Sequence, residues 1–374
     1  MAETTPTSFR QRLPYSIQVE PRLQTGRWVP ILSSVAALVL ALFFGGILIA
    51  LVGGDPFATY AHIANVAFGS LGGITDTLTK ATPLILVGLA CSLAFRMKLW
   101  NIGAEGQFYM GAWAASAVVL IPLLPPETSP FIFIPVMMIA GMLGGAAWGF
   151  IPGFLKARFK VNEVITTLML NYIAVAWNLF FIFAVWSEGG FQMSPMFPRA
   201  SWLPRLSDLA GPIKEFRGLT LHGGFIIAVI AAVIVWFIVN RSKWGYEIRL
   251  IGDNPKAAEY AGIPIKRNII LVMMVSGALA GLAGMSEISG TVHRLQGAIS
   301  PGYGFTGIII AWLAKLNPFA VILVSIFFGA LLLAGREIQP SGIPKMIQGI
   351  VLVCLIASDY FVRYRVHITR RVEA

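Results

Sequence analysis

Charged side chains are scarce in this chain: Asp, Glu, Lys and Arg make up 12% of 374 residues, against 57% hydrophobic. A water-soluble protein of this length needs a larger polar share to cover its surface, which excludes a soluble fold. Cysteine is rarer still. Cys91 and Cys354 both fall in apolar runs and give neither a disulfide framework nor a metal pattern. His62, His222, His293 and His367 are scattered without ligand spacing. There is no GxxxxGK[ST] phosphate loop, no G-x-S-x-G elbow and no H-E-x-x-H. These absences disfavour an integral enzyme, a resident cofactor or metal, and any ATP hydrolysis by the chain itself.

Long apolar runs are abundant instead. Ten segments read as transmembrane helices: 31–52, 79–97, 102–121, 131–154, 163–186, 221–240, 269–290, 304–314, 318–334 and 344–362. The predicted fold class is an all-α polytopic membrane protein of about ten spans. Ile31–Val52 is too long for a signal-peptide core and lacks a small-residue cleavage motif, so it reads as a true first span. Residues 1–27 then form a mobile cytoplasmic tail, 28–362 the membrane domain, and 363–374 a short basic tail. With the N-terminus inside, twenty of the 28 Lys/Arg lie in cytoplasmic segments, which accounts for the net charge of +11 without nucleic acid. Both termini are expected in the cytoplasm.

The stretch 241–268, RSKWGYEIRLIGDNPKAAEYAGIPIKRN, carries six of those basic residues between two spans and is expected inside. It contains a short helix over Asp253–Tyr260. Asp253 or Asn254 can cap it, Pro255 suits its first turn and Gly262 offers a stop. The helix reads as a handle for a partner that supplies energy.

Two spans carry polar stripes. Asn101, Glu105 and Tyr109 recur every four residues and share a face. Glu163, Thr167 and Asn171 do the same, with Asn178 seven further on. Such groups mark a translocation path, or else cap helices and bond between them as structural glue. Gly141, Gly145 and Gly149, with Gly277, Gly281 and Gly284, read as helix-packing seams. The segment 53–78 is expected to lie on the surface or partly re-enter, with Pro83 near the start of the next span. The outer segment 187–220 suits a delivery protein or a lid. HRLQGAISPGYGFTG at 293–307 suggests irregular backbone lining a cavity.

Three motifs in order, NIGAEGQ at 101–107, VNEVITTLMLNYIA at 161–174 and GDNPKAAEYAGI at 252–263, resemble permeases of bacterial ABC importers. The subfamily is the branched-chain amino acid and simple sugar permeases, most closely its nucleoside-type members. The likeness runs from about Thr79 to Ser358. It implies a fold similar to vitamin B12-type importer permeases and a homo- or heterodimer of permeases in the bacterial plasma membrane. It further implies a cytoplasmic ATPase holding ATP and Mg, and an extracytoplasmic substrate-binding protein. By the same likeness Gly252, Asp253, Asn254, Ala257, Ala258 and Gly262 match the loop that docks on the ATPase. Sugar and branched-chain amino acid permeases remain alternatives. An ion-coupled secondary transporter shares the spans but works without ATP.

Overall fold

The computed structural model describes residues 15–21, 29–121, 123–125, 127–335 and 342–370. Among them the regular structure is helical apart from one two-stranded ribbon. In order come β1 (Tyr15–Pro21), α1 (Val29–Leu51), α2 (Pro56–Phe68), α3 (Leu71–Arg96), α4 (Ala104–Leu120) and α5 (Pro130–Phe159). Then follow α6 (Glu163–Phe180), α7 (Gly224–Arg241), α8 (Lys243–Asp253), α9 (Pro255–Tyr260) and α10 (Ile265–Glu287). The chain ends with α11 (Tyr303–Leu313), α12 (Pro318–Ala334), α13 (Ile343–Arg363) and β2 (Tyr364–Arg370). Single turns of π-helix extend α6 through Phe181–Val185 and α10 through Ile288–Val292.

Local chemistry sets the helix starts. Asp55 accepts from the N–H groups of Phe57 (2.9 Å) and Ala58 (3.2 Å), with Pro56 in the first turn of α2. Asn162 caps α6, and Asn317 with Pro318 opens α12. Each side chain satisfies an N–H that has no intrahelical partner.

Among the described residues, six helices are long and apolar enough to cross a membrane, and three shorter apolar ones accompany them. Burial separates them into centre and rim. The apolar window of α3 is 89% buried and that of α10 61%, whereas those of α5, α6 and α7 are 28%, 22% and 33%. The bundle is therefore built around α3 and α10, with α4 and α5 packed on α10 and α11 and α12 on α3. The outer helices keep apolar faces such as Ile139, Leu143 and Phe150 exposed, as lipid or a partner subunit requires.

Glycine decides how closely the centre packs. A Cβ on Gly145 would overlap the carbonyl oxygen of Gly277, and one on Gly111 would overlap the Cα of Gly281. The stripes of α5 and α10 thus meet backbone to backbone, with α4 as a third party.

Three expectations need correction. Helix α3 begins at Leu71, not near residue 79, so Pro83 lies in its interior. Its polar start is masked because Thr75, Thr79 and Thr82 bond back to the carbonyls of Gly72, Thr75 and Leu78 at 2.8, 2.8 and 2.9 Å. The loop 241–268 holds two helices, since α8 precedes α9. The terminal segments are not plain tails: β1 pairs antiparallel with β2, Ile17 opposite Ile368 and Val19 opposite Val366. That pairing joins residues 15–21 to residues 364–370.

Candidate functional site

The stretch expected to serve as the handle forms the α8–α9 unit. Asp253 closes α8, and Asn254 caps α9 by accepting from the Ala257 N–H at 3.1 Å. Gly262 takes a left-handed φ of 72°, while the Ile263 N–H donates to the Ala258 carbonyl at 3.0 Å. Ala258 is fully buried, so its side of α9 faces the bundle, and Ala257 is half-buried at the margin of the outer face. Asp253, Asn254, Lys256, Glu259 and Tyr260 face outward, Tyr260 with 94% of its surface exposed. A fully exposed tyrosine on a six-residue helix is the feature sequence reading missed. The alanines that bracket it carry the helix signal but do not show which side is free.

The unit is clamped to the two central helices. A Cβ on Gly252 would overlap the Arg96 carbonyl oxygen, so α8 rests directly on the end of α3. The Trp244 indole N–H donates to Asn268 Oδ1 at 2.8 Å, and the Asn268 amide donates to Glu247 at 3.0 Å, which fixes α8 to the first turn of α10. The Arg249 guanidinium also donates to the Val239 carbonyl of α7. Arg96 and Ser92 both donate to the Leu316 carbonyl, at 2.6 and 2.9 Å, tying in the α11–α12 turn.

The seven polar stripe residues are all buried. Asn101 bridges Gln107 and Ser276, each at 2.9 Å. Asn171 accepts from the Gly106 N–H at 2.8 Å and donates to the Ile102 carbonyl at 2.9 Å. The Thr167 hydroxyl donates to the Glu163 carbonyl at 2.6 Å, and the Glu163 carboxylate pairs with Lys156 at 2.6 Å. These four join α4, α5, α6 and α10. The other three reach a different place. Glu105 accepts from the Gly304 N–H at 2.6 Å, Tyr109 neighbours the backbone of Ile299 and Ser300, and Asn178 donates to the Gln296 carbonyl at 2.9 Å. All three hold the irregular segment between α10 and α11.

That segment lines a cavity of about 560 Å³, whose wall includes Gln296, Ala298, Ile299, Ser300, Pro301 and Tyr303. The cavity lies at the end of α3 and α10 opposite the handle.

Its roof is bracketed by the segment between α6 and α7. Arg205 donates to the carbonyls of Gly290 (2.7 Å) and Thr291 (3.1 Å) on the π-turn and contacts His293 Nε2 at 2.6 Å. Trp202 stacks on the His293 ring at 3.6 Å, and Arg199 lies over Trp202 while pairing with Asp208 at 2.6 Å. Burial, then the adjacent Arg205, lowers His293 to about 4; burial, then Arg205, His293 and Lys80, lowers His222 to about 3. Both rings are neutral in the folded protein. Because both values are depressed from 6.5, the unfolded chain takes up protons first, so stability is lost as pH falls from 6.5 toward 4. Thermal melting of the detergent-solubilised protein is expected to drop across that window, and His293→Gln to flatten the drop.

The bundle of long apolar helices carries an exposed two-helix unit at one end and a cavity at the other, as a polytopic membrane transport subunit would. Residues 73–356 match the family described as branched-chain amino acid transport system / permease component. The chain is 36% identical to the guanosine ABC transporter permease protein NupP of Bacillus subtilis, over 89% of this chain and 95% of the relative. It is 34% identical to the glucose ABC transporter permease protein TsgB13 of Haloferax volcanii, over 94% of each chain. It is likewise 34% identical to the nucleoside ABC transporter permease protein NupB of Lactococcus lactis, over 87% of this chain and 89% of the relative. A solved metal-chelate type ABC transporter in an inward-facing conformation aligns at a TM-score of 0.47 with 14% identity, over 87% of this chain and 98% of its own. The protein belongs to the branched-chain amino acid transport system permease family. It is a multi-pass ABC importer permease and a non-catalytic transport component.

Proposed function

We propose that this chain is the permease of an ATP-driven, binding-protein-dependent nucleoside importer of the plasma membrane, working by alternating access. The observation that carries this reading is the α8–α9 unit, with an exposed outer face and an inner face clamped to both central helices. A cytoplasmic ABC ATPase docks on the loop of Gly252, Asp253, Asn254, Ala257, Ala258 and Gly262, meeting its exposed Asp253, Asn254 and Tyr260 while Gly252 and Ala258 seat the loop on the bundle. Closure of the ATPase pair moves α9, and α3 and α10 follow. A second permease subunit, identical or related, covers an exposed apolar face of the bundle, as in the vitamin B12-type fold. The substrate-binding protein meets the segment 187–220, and both termini lie with the ATPase in the cytoplasm.

The polar stripes serve the path from behind its surface. Asn101, Glu163, Thr167 and Asn171 fix α4 and α6 into one block. Glu105, Tyr109 and Asn178 hold the segment that faces the ligand. Nucleoside is favoured because two relatives with 36% and 34% identity are named for guanosine and nucleoside transport. A simple sugar is the second reading, favoured by the glucose permease that matches over 94% of both chains.

The test is uptake of labelled guanosine by the importer, reconstituted with its ATPase, partner permease and binding protein. ATP-dependent accumulation supports the proposal, and glucose accumulation without guanosine accumulation contradicts the substrate. Gly252→Val, which pushes α8 off α3, is expected to lower uptake by about tenfold or more while ATP hydrolysis continues. Equal loss of both activities would show that Gly252 holds the complex together and does not transmit motion.

A further inference from the structure

One ion pair in the bundle is bound up with neither the handle nor the polar stripes. Lys80 Nζ of α3 lies 3.5 Å from Glu287 Oε1 of α10, with the side chains 13% and 4% exposed. Both line the 560 Å³ cavity. We infer that this cavity is the transit site of the importer and that the Lys80–Glu287 pair contacts a neutral, polyhydroxylated ligand within it. The inference deepens the function proposed above and rests on it.

Energetics argue against a purely structural pair. Two charges withdrawn from water recover little of their desolvation cost at such a separation, and an apolar pair would hold the helices as well. Ionisable groups inside a membrane bundle mark a solute pathway by default. Position strengthens the case. Lys80 stands sixteen residues, about 24 Å, from the Arg96 end of α3, and Glu287 stands nineteen residues, about 28 Å, from Asn268 on α10. These are the two helices that α8 clamps at their other ends. A movement of the handle reaches the cavity through the helices that carry the pair.

The lining suggests the ligand class. The volume falls within the range of small-molecule sites, about 300–1,000 Å³. Beside the pair stand hydroxyl and amide groups from Thr291, Gln296 and Ser300, and the Thr291 hydroxyl has no partner among the described residues. Apolar surface comes from Ile299, Pro301 and Leu332. Lys345 stands exposed at the rim. A sugar ring fits this mixture, since one hydroxyl donates to Glu287 while its neighbour accepts from Lys80. An anion would meet the Glu287 carboxylate and a cation the Lys80 ammonium at close range, so an uncharged ligand suits the pair.

Ala298 lines the cavity but is itself exposed, so it accepts a probe without disturbing the core. The test uses the reconstituted importer with Ala298→Cys on a Cys354→Ser background, since Cys91 is fully buried. A sulfonate-bearing methanethiosulfonate should lower labelled guanosine uptake by about tenfold, because a bulky adduct occupies the cavity. Millimolar uridine should slow the modification about fivefold and leucine should not, as expected for a weak site that only the ligand class fills. Lys80→Met with Glu287→Met, which keeps the packing and removes the polar pair, should cut uptake about tenfold in a complex that still purifies intact. Modification, or the double methionine change, that leaves uptake unaltered in a working importer overturns this inference alone. Protection by leucine in place of uridine overturns the ligand class. Absence of nucleoside uptake by the unmodified importer defeats the proposed function instead.

Discussion

Changing Asp253 to Lys together with Ala257 to Trp is expected to abolish uptake and to strip the ATPase from the purified complex, while the permease remains inserted. Asp253 is exposed, and Ala257 sits half-buried on a helix whose buried contact is Ala258. Neither change reaches the bundle centre, so folding should survive while the docking face reverses charge and gains bulk. Tyr260→Ala is the sparing companion: with 94% of its surface free it contributes almost nothing to the fold. An exposed aromatic anchor of this kind carries about 2 kcal/mol or more in a docked interface, so its loss should weaken ATPase retention by about thirtyfold. Co-purification with pull-down and uptake in vesicles reads both variants. A permease that keeps both its ATPase and its uptake after the double change would show that the handle lies elsewhere.

The second large effect lies where the backbones touch. Gly145→Val would drive a side chain into the Gly277 carbonyl and the Gly281 backbone, and neither can rotate away. Core overpacking usually costs about 1–3 kcal/mol, and prising two helices apart puts this change in the tail above about 4 kcal/mol. The expected outcome is loss of the monodisperse species on size-exclusion chromatography in detergent. Gly349→Val provides the control, because nothing lies within 4 Å of the added carbon on α13. Equal behaviour of the two variants would contradict the packed seam.

Much of this is legible in the sequence, and the reasons are local. Apolar runs give helices because unpaired backbone is intolerable in lipid. Asn254 and Pro255 open α9, and Gly262 closes it, through bonds that need only neighbouring residues. Helix α8 was not legible, because KWGYEIRLIGD mixes charge, glycine and apolar residues. Its two buried isoleucines, Ile248 and Ile251, acquire meaning only once a surface is there to receive them. The start of α3 was hidden by threonines whose hydroxyls turn back onto their own helix.

The stripes on α4 and α6 were readable as faces, but their bonding partners were not. Spacing shows that Asn171 and Glu105 point one way, yet Gly106 and Gly304 are the groups they meet. The cavity was the least visible feature. Lys80 and Glu287 are 207 residues apart and come together only through the packing of α3 on α10. The loop at 293–307 announced irregular backbone through its Gly and Pro content, but not which charges would stand across from it.

The central claim is that the subunit has no engine and is driven through α8 and α9. Reconstituting the purified chain alone in vesicles, with an imposed proton or sodium gradient and labelled guanosine inside and out, tests it most directly. The account predicts no uphill accumulation until the ATPase, the partner permease, the binding protein and ATP are supplied. Accumulation on the gradient alone would contradict it.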